Sequence, residues 1–384
     1  MDQLFSLESK SVLGILGSGQ LARMTTLAAS NIGIKTHIYC NESEISPAEL
    51  VAAKTSKGKF SDLEAILEFC SQCNFITLEN EFIDQKILEA IDKKYPNRIF
   101  PNSKTFKLIG DKISEKEIFQ KSGLLVAPFK KIDSKEDIKK FAAIHGFPIV
   151  LKTAKGGYDG YGNVTIKNVE EIELKFNLLK GELLVEAFIP YVKELAVMVA
   201  RNLAGEIQVY PIAHTMQENH ICHFVSVPAD ITPAVEKEIQ VNVQIAMKAI
   251  DAVGIFAFEF FLTNDGKIYL NESAPRPHNS GHYSMEGCVT SQFENHVRSV
   301  LNLPLGDTSL RSPHVLMLNL LGTQNAPAEL KNARNFLNVP DGHLHLYGKK
   351  ISKVGRKMGH FTLLGSNHSV MFSQLNKLKS EYSL

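Results

Sequence analysis

Several absences narrow what this 384-residue chain can be. Cysteine is scarce, at 5 residues, too few and too scattered for a disulfide framework. Cys70 and Cys73 form one C-x-x-C, but no second pair supplies the remaining ligands of a zinc site, so the pattern reads as buried or half-buried thiols. Neither charge sign dominates: 42 Lys and Arg against 41 Asp and Glu leave a formal charge of +1. Bulk electrostatics therefore favour neither nucleic acid nor an anionic membrane, and an anionic ligand must be met by locally placed cations. No apolar run approaches the roughly 20 residues of a membrane span. Residues 1–10 carry acids and no apolar core, which argues against a secretory signal and makes the cytoplasm the expected location. Internal repeats and low-complexity segments are also lacking.

What is present is an ordinary globular composition, 44% hydrophobic and 22% charged, on a length that suggests two to three domains. Val12 to Leu16, the turn Gly17-Ser18-Gly19, a helix from Gln20 and a strand from Lys35 open a doubly wound α/β domain. It closes near residue 102. Residues 103–304 follow with a small α+β lobe at about 125–186 and a second, antiparallel sheet packed by a helix from Ala234 to Ala252. Residues 305–384 read as a third, β-rich domain.

The densest chemistry lies in Asn271-Glu272-Ser273-Ala274-Pro275-Arg276-Pro277-His278-Asn279-Ser280-Gly281-His282. Before it, Asp265-Gly266 separates two apolar runs, a hairpin signal that lets Glu259 and Glu272 face each other across the pair. Adjacent carboxylates repel unless a cation lies between them, and oxygen-only donors suit Mg²⁺ bridged to phosphates. A set of solvated charges on a tight loop is the blander alternative.

Lys152 precedes a loop with four glycines, Gly156 to Gly162, that could close over phosphates; no G-K-[ST] makes it a Walker A, and a flexible hairpin is the alternative. Glu186 ends an apolar run, Leu184 to Ile189, suited to hold adenine through backbone groups and ribose through a carboxylate; Glu194 is either a second nucleotide ligand or a lone edge acid. Gly17-x-Gly19-x-x-Ala22 fits a dinucleotide fingerprint, but the second strand ends Tyr39-Cys40-Asn41 without the usual acid. We read it as a phosphate or ribose site; a turn without a ligand is the alternative. Glu79 and Glu81 follow a strand at the ligand-binding edge of the sheet, and Lys349, Arg356, Lys357 and His360 form a basic C-terminal cluster. Either group could also be ordinary loop charge.

Taken in order, G-x-G-Q-L at 17–21, the Glu79/Glu81 pair, G-G-Y-D-G-x-G at 156–162, the 271–282 run, Ser291-Gln292-Phe293, and Tyr347-Gly348-Lys349 with Gly355 to His360 resemble the 5-(carboxyamino)imidazole ribonucleotide synthetases, ATP-grasp enzymes of purine biosynthesis. The resemblance spans almost the whole chain and leaves no room for a fused carboxylase or mutase domain. It implies an ATP-grasp core of two lobes, an N-terminal pre-ATP-grasp domain and a small C-terminal domain. It also implies an ATP-dependent carbon–nitrogen ligase that uses bicarbonate, two Mg²⁺ ions and 5-aminoimidazole ribonucleotide, works as a homodimer, and binds neither nucleic acid nor membrane.

By the same resemblance Lys112, Lys152, Gly157, Tyr158, Asp159, Gly160, Tyr161, Gly162 and Asn163 would hold the phosphates, and Glu186, Ala187, Phe188, Ile189, Glu194 and Gln217 the nucleoside. Asn271 and Glu272 would also contact ATP, and Glu259 and Glu272 would bind metal. Tyr158, Arg276, His278, Asn279 and Lys349 would be catalytic. Gln20, Leu21, Glu79, Glu81, Ser280, Arg356 and Lys357, with Arg276, His278 and Lys349, would bind the ribonucleotide. Lys112 departs from an arginine common in the family, Asn163 from a glutamine, Ala22 from a glycine and Gln217 from a histidine. Competing readings are another ATP-grasp ligase with a different acceptor, an NAD(P)-dependent oxidoreductase, and an ATP-binding regulatory protein without turnover.

Overall fold

The computed structural model describes residues 11–41, 46–81, 83–156 and 162–384. The first apolar run, Val12–Leu16, lies at the centre of a five-stranded parallel sheet in the order Lys54–Lys57, Lys35–Cys40, Val12–Leu16, Phe75–Leu78, Ile99–Phe100. Strand order reverses beside this central strand, so its carboxyl end opens a crevice. The helix Gln20–Asn31 buries Leu21, Ala22 and Met24, while Leu63–Ser71 buries Ile66 and Phe69. Cys70 and Cys73 are buried free thiols, both pushed up to about 12 by burial, the environment of an inert thiol.

The small lobe is a four-stranded antiparallel sheet ordered Phe129–Ile132, Leu183–Ala187, Ile149–Thr153, Asn163–Ile166. It places Lys152 next to Leu184 and sets Glu186 against Val150. Nine further strands build one sheet that runs from Ile268–Ala274 through Gly254–Thr263 and Tyr191–Arg201 to Lys357–Gly365 and Gly342–Leu346, and Ala326–Pro327 pairs separately with Ile351–Ser352. The helix Pro233–Ala249, capped by the Thr232 side chain, packs Val235, Ile239 and Val243 against Leu195, Val197, Phe256 and Phe258.

This sheet crosses the boundary expected near residue 305. Ile221–Val227 pairs with His314–Leu321, putting Phe224 opposite Leu318, so the C-terminal part shares a sheet with the middle one. We propose the divisions at 102 and 304 as units of chain organisation only, since the strands on either side of 304 share one sheet. A buried polar link ties the N-terminal sheet to this larger one. Ile255 N–H donates to His296 Nδ1 at 3.1 Å, and His296 Nε2 meets Thr77 Oγ1 at 2.8 Å. Thr77 in turn donates to the Phe100 carbonyl at 2.8 Å. Burial pushes His296 down to about 4, which keeps the imidazole neutral and able to accept from Ile255.

Candidate active site

The Asp-Gly hairpin forms between Gly254–Thr263 and Ile268–Ala274, and Glu259 stands directly opposite Glu272 in the ladder. Phe258 and Phe260 point into the core under the helix Pro233–Ala249, so strand alternation turns Glu259 to the other face. Lys112 Nζ donates to Glu272 Oε2 at 2.7 Å. That ammonium holds the Glu272 carboxyl down at about 2, against the opposing effect of burial. His278 Nε2 lies 3.8 Å from Glu259 Oε1.

A buried charge network supports the nucleotide end. Glu186 Oε2 is 3.0 Å from Lys152 Nζ and Glu186 Oε1 is 3.1 Å from Lys116 Nζ. All three residues are at least nine-tenths buried, which makes Glu186 the shared counter-ion of two lysines rather than a carboxylate free to reach a ribose. Lys116 also donates to the Asn271 carbonyl at 3.2 Å, and Lys152 to Asn271 Oδ1 at 3.4 Å. Next to it, buried Glu115 accepts from Ser273 N–H at 2.7 Å and from its hydroxyl at 2.6 Å. Glu115 and Lys116 were not singled out from the sequence. Their signal was positional: three and four residues after Lys112 on the helix Lys112–Lys121, they share its face.

At the other end, Glu79 follows the strand Phe75–Leu78 and lies against the turn that precedes the helix Gln20–Asn31. A Cβ at Gly17 would come within 2.4 Å of Glu79 Cβ, and one at Gly19 within 2.4 Å of Glu79 Oε1. Gly17 also has φ +121°, which only glycine adopts without strain. The glycine pair thus makes room for a carboxylate, which would repel the pyrophosphate a dinucleotide fingerprint brings to such a turn. Burial, reinforced by Glu81, holds the Glu79 carboxyl above its ordinary range although Asn80 and Arg276 oppose it. Arg276 grips Glu81 with both Nε and Nη2, the latter at 2.8 Å. Burial works against ionisation of Glu81, but the guanidinium overrides it and holds that carboxyl below the usual range.

The loop after the hairpin is braced from behind. His278 Nδ1 meets Ser280 Oγ at 2.9 Å, while Gln292 accepts from His278 N–H at 3.0 Å and donates to its carbonyl at 2.8 Å. The Asn279 amide is paired with fully buried Asn319 through two 2.8 Å contacts, and Asn319 donates onward to the Cys222 carbonyl at 3.0 Å. These contacts fix Asn279 in place, a task Asn319 shares although no local motif marks it.

One cleft of about 590 Å³ joins the two ends. Its wall brings together Gln20, Leu21, Glu79, Glu81, Lys112, Lys152, Asn163, Glu186 to Ile189, Glu194 and Gln217 with Glu259, Asn271, Glu272, Arg276, His278, Asn279, Ser280 and Lys357. Gly162 is not on that wall. Lys349 is not either; its ammonium donates to the Lys357 carbonyl at 2.6 Å and acts on Glu79 only through its charge. Arg356 is exposed and donates to the Ile351 carbonyl at 2.9 Å, so its guanidinium is turned along its own hairpin. Gly157, Tyr158, Asp159, Gly160 and Tyr161 lie outside the described residues.

Three family models match the chain in succession: a ribonucleotide synthetase preATP-grasp domain over 10–110, an ATP-grasp domain over 117–293, and a phosphoribosylaminoimidazole carboxylase C-terminal domain over 315–373. An N5-carboxyaminoimidazole ribonucleotide synthase of Synechococcus elongatus is 36% identical over 355 residues, covering 91% of this chain and 89% of that one. The chain belongs to the N5-carboxyaminoimidazole ribonucleotide synthase family. The crystal structure of an Aspergillus clavatus member, in complex with ADP and 5-aminoimidazole ribonucleotide, matches with TM-score 0.88 at 31% identity, covering 97% of this chain and 98% of that one. The phosphoribosylaminoimidazole carboxylase of Ogataea methanolica is 39% identical over 369 residues, 94% of this chain and 67% of that protein. The chain spans about two thirds of the length of the fungal carboxylases it matches.

Proposed function

We propose that this chain is an ATP-dependent ligase that carboxylates the amine of 5-aminoimidazole ribonucleotide, with bicarbonate as the carbon source, Mg²⁺ as the metal, and carboxyphosphate as the activated intermediate. The observation that carries the reading is the single cleft that places the Glu259/Glu272 pair and Lys152 at one end and Glu79, Glu81 and Arg276 at the other. Two opposed carboxylates with an amide oxygen nearby suit Mg²⁺, which uses one or two protein carboxylates and completes its shell with phosphates and water. When bound, Mg²⁺ would neutralise phosphate charge during an in-line transfer.

The chain's own residues do the rest. Lys152 and Lys112 hold phosphate oxygens, with Glu186 and Lys116 fixing Lys152 from beneath. Backbone groups of Ala187 to Ile189 hold the adenine, and Glu194 and Gln217 the nucleoside. Arg276 and His278 orient bicarbonate so that its oxygen attacks the terminal phosphorus and ADP leaves. The amine then attacks the carboxyl carbon, phosphate departs, and Glu79, whose raised pKa favours holding a proton, takes the one the amine sheds. Gln20, Ser280 and Lys357 fix the ribonucleotide, with Arg356 and Lys349 able to turn onto its phosphate. The glycine loop 156–162 keeps water from carboxyphosphate. From the family resemblance we infer a homodimer working in the cytoplasm.

The test is ADP release with Mg²⁺, ATP and bicarbonate, measured with and without the ribonucleotide. Strong stimulation with matching carbamate formation supports the reading. Turnover indifferent to the ribonucleotide would point to a different acceptor and reject it.

A further inference from the structure

Lys112 Nζ and a metal ion compete for the same atom. The ammonium lies 2.7 Å from Glu272 Oε2, on the carboxylate that stands in register with Glu259. Two facing carboxylates repel, and Lys112 removes that repulsion by supplying a positive charge at one of them. Its backbone is held: Lys112 N–H donates to the Ala154 carbonyl at 2.9 Å, and Asp111 caps the helix that Lys112 begins. The flexible stem is the only part that must move for the ammonium to leave Glu272. Another lysine is already placed beyond it, since Lys152 lies 3.0 Å from Glu186 on the adjoining strand.

We propose that Lys112 is the resident counter-cation of Glu272 and is exchanged for the metal, its ammonium passing to the phosphate oxygens as the metal takes the carboxylate. The inference rests on the assignment of Glu259 and Glu272 as metal ligands. No covalent bond changes; one cation replaces another. The lysine then has two tasks. It holds the hairpin acids together when no metal is bound, and it makes metal binding depend on a phosphate that can receive it. Nucleotide and metal thereby favour each other's entry, a coupling that must be reciprocal.

The experiment is Mn²⁺ binding to the nucleotide-free full-length chain, followed by the resonance signal of free Mn²⁺. The variants are Lys112→Gln, Lys112→Arg, Glu272→Gln and the double variant Lys112→Gln/Glu272→Gln. Removing a positive charge within a few ångströms of the ion predicts Mn²⁺ binding by Lys112→Gln about tenfold or more tighter than wild type. Lys112→Arg, whose fork holds a carboxylate with two donors, should bind Mn²⁺ no better than wild type. The double variant should lose the gain. If Lys112→Gln binds Mn²⁺ no more tightly than wild type while Glu272→Gln binds it less, the metal site stands and the exchange is overturned. If Glu272→Gln and the double variant keep full affinity, the metal assignment itself fails. Should Lys112→Gln not fold, Lys112→Arg decides: tighter binding than wild type overturns the exchange, equal or weaker binding supports it.

Discussion

Glu186→Gln changes one oxygen to an amide and keeps the shape, yet it should be among the most damaging substitutions in the chain. Glu186 is 3% exposed, Lys116 2% and Lys152 7%, so the two ammoniums it neutralises have almost no water to replace it. Breaking one buried pair by removing a partner costs about 3–5 kcal/mol, because the remaining charge is left uncompensated. Here two charges lose their partner, at 3.0 and 3.1 Å, so the loss should reach the upper part of that range. One relief is open: a lysine can shed its proton. Burial already pulls Lys116 below its ordinary value despite Glu186, and without the carboxylate it should fall further. The unfolded chain would then bind one more proton than the native one over the alkaline range. Stability rises with pH under that condition, so Glu186→Gln should recover stability between neutral pH and the unfolded lysine value more steeply than wild type. Denaturant unfolding across this range reads both effects, and the same samples give KM for ATP, which should rise as Lys152 loses its anchor. Lys116→Met in the Glu186→Gln background should restore part of the stability, since one of the two orphaned charges is gone. Stability within about 0.5 kcal/mol of wild type, the scatter of an ordinary surface change, would refute the network.

Three further substitutions test other parts of the site. Glu272→Ala should abolish ADP release while the unfolding curve keeps its shape; substantial turnover at saturating Mg²⁺ would remove Glu272 from the metal site. Gly19→Ala should raise KM for the ribonucleotide and spare ATP affinity, because its Cβ would arrive 2.4 Å from Glu79 Oε1 and displace that carboxylate; unchanged ribonucleotide KM would contradict the packing. His296, held near 4 against about 6.5 when unfolded, contributes stability that is complete above the unfolded value and is lost as pH falls through that window. The loss by the bottom of the window is about 3 kcal/mol at 1.36 kcal/mol per unit. His296→Gln should flatten the acid side of the stability profile by a similar amount, and an unaltered slope would show that the imidazole is not neutral in the fold.

Local signals in the sequence encode much of the site. Asp265-Gly266 between apolar runs signalled a hairpin, but counting from Leu262 opposite Ile268 would set Asn271 against Glu259; a register shift between Glu259 and Phe260 brings Glu272 there instead. An earlier hairpin carries no such signal, for a physical reason. Ala213–Glu218 and Ile221–Val227 join through Asn219-His220, both with positive φ, and the usual glycine is missing from that turn. Glu115 and Lys116 carry no mark in the sequence, since nothing in a helical period tells a buried ion network from a surface pair. Asn319 was invisible for a different reason. It lies on a strand whose neighbours are all buried, and its role depends on a partner 40 residues away. The shared sheet across residue 305 likewise arises from pairing between distant strands, which no local pattern encodes.

The most direct test of the central claim is to follow the carbon. Purified chain, Mg²⁺, ATP, labelled bicarbonate and ribonucleotide labelled at the exocyclic amine should give a carbamate in which the two labels are bonded, seen as coupling between the two nuclei in the magnetic resonance spectrum. Its amount should equal the ADP released. ADP formation with no such coupled signal, under conditions where the carbamate survives, would contradict the account.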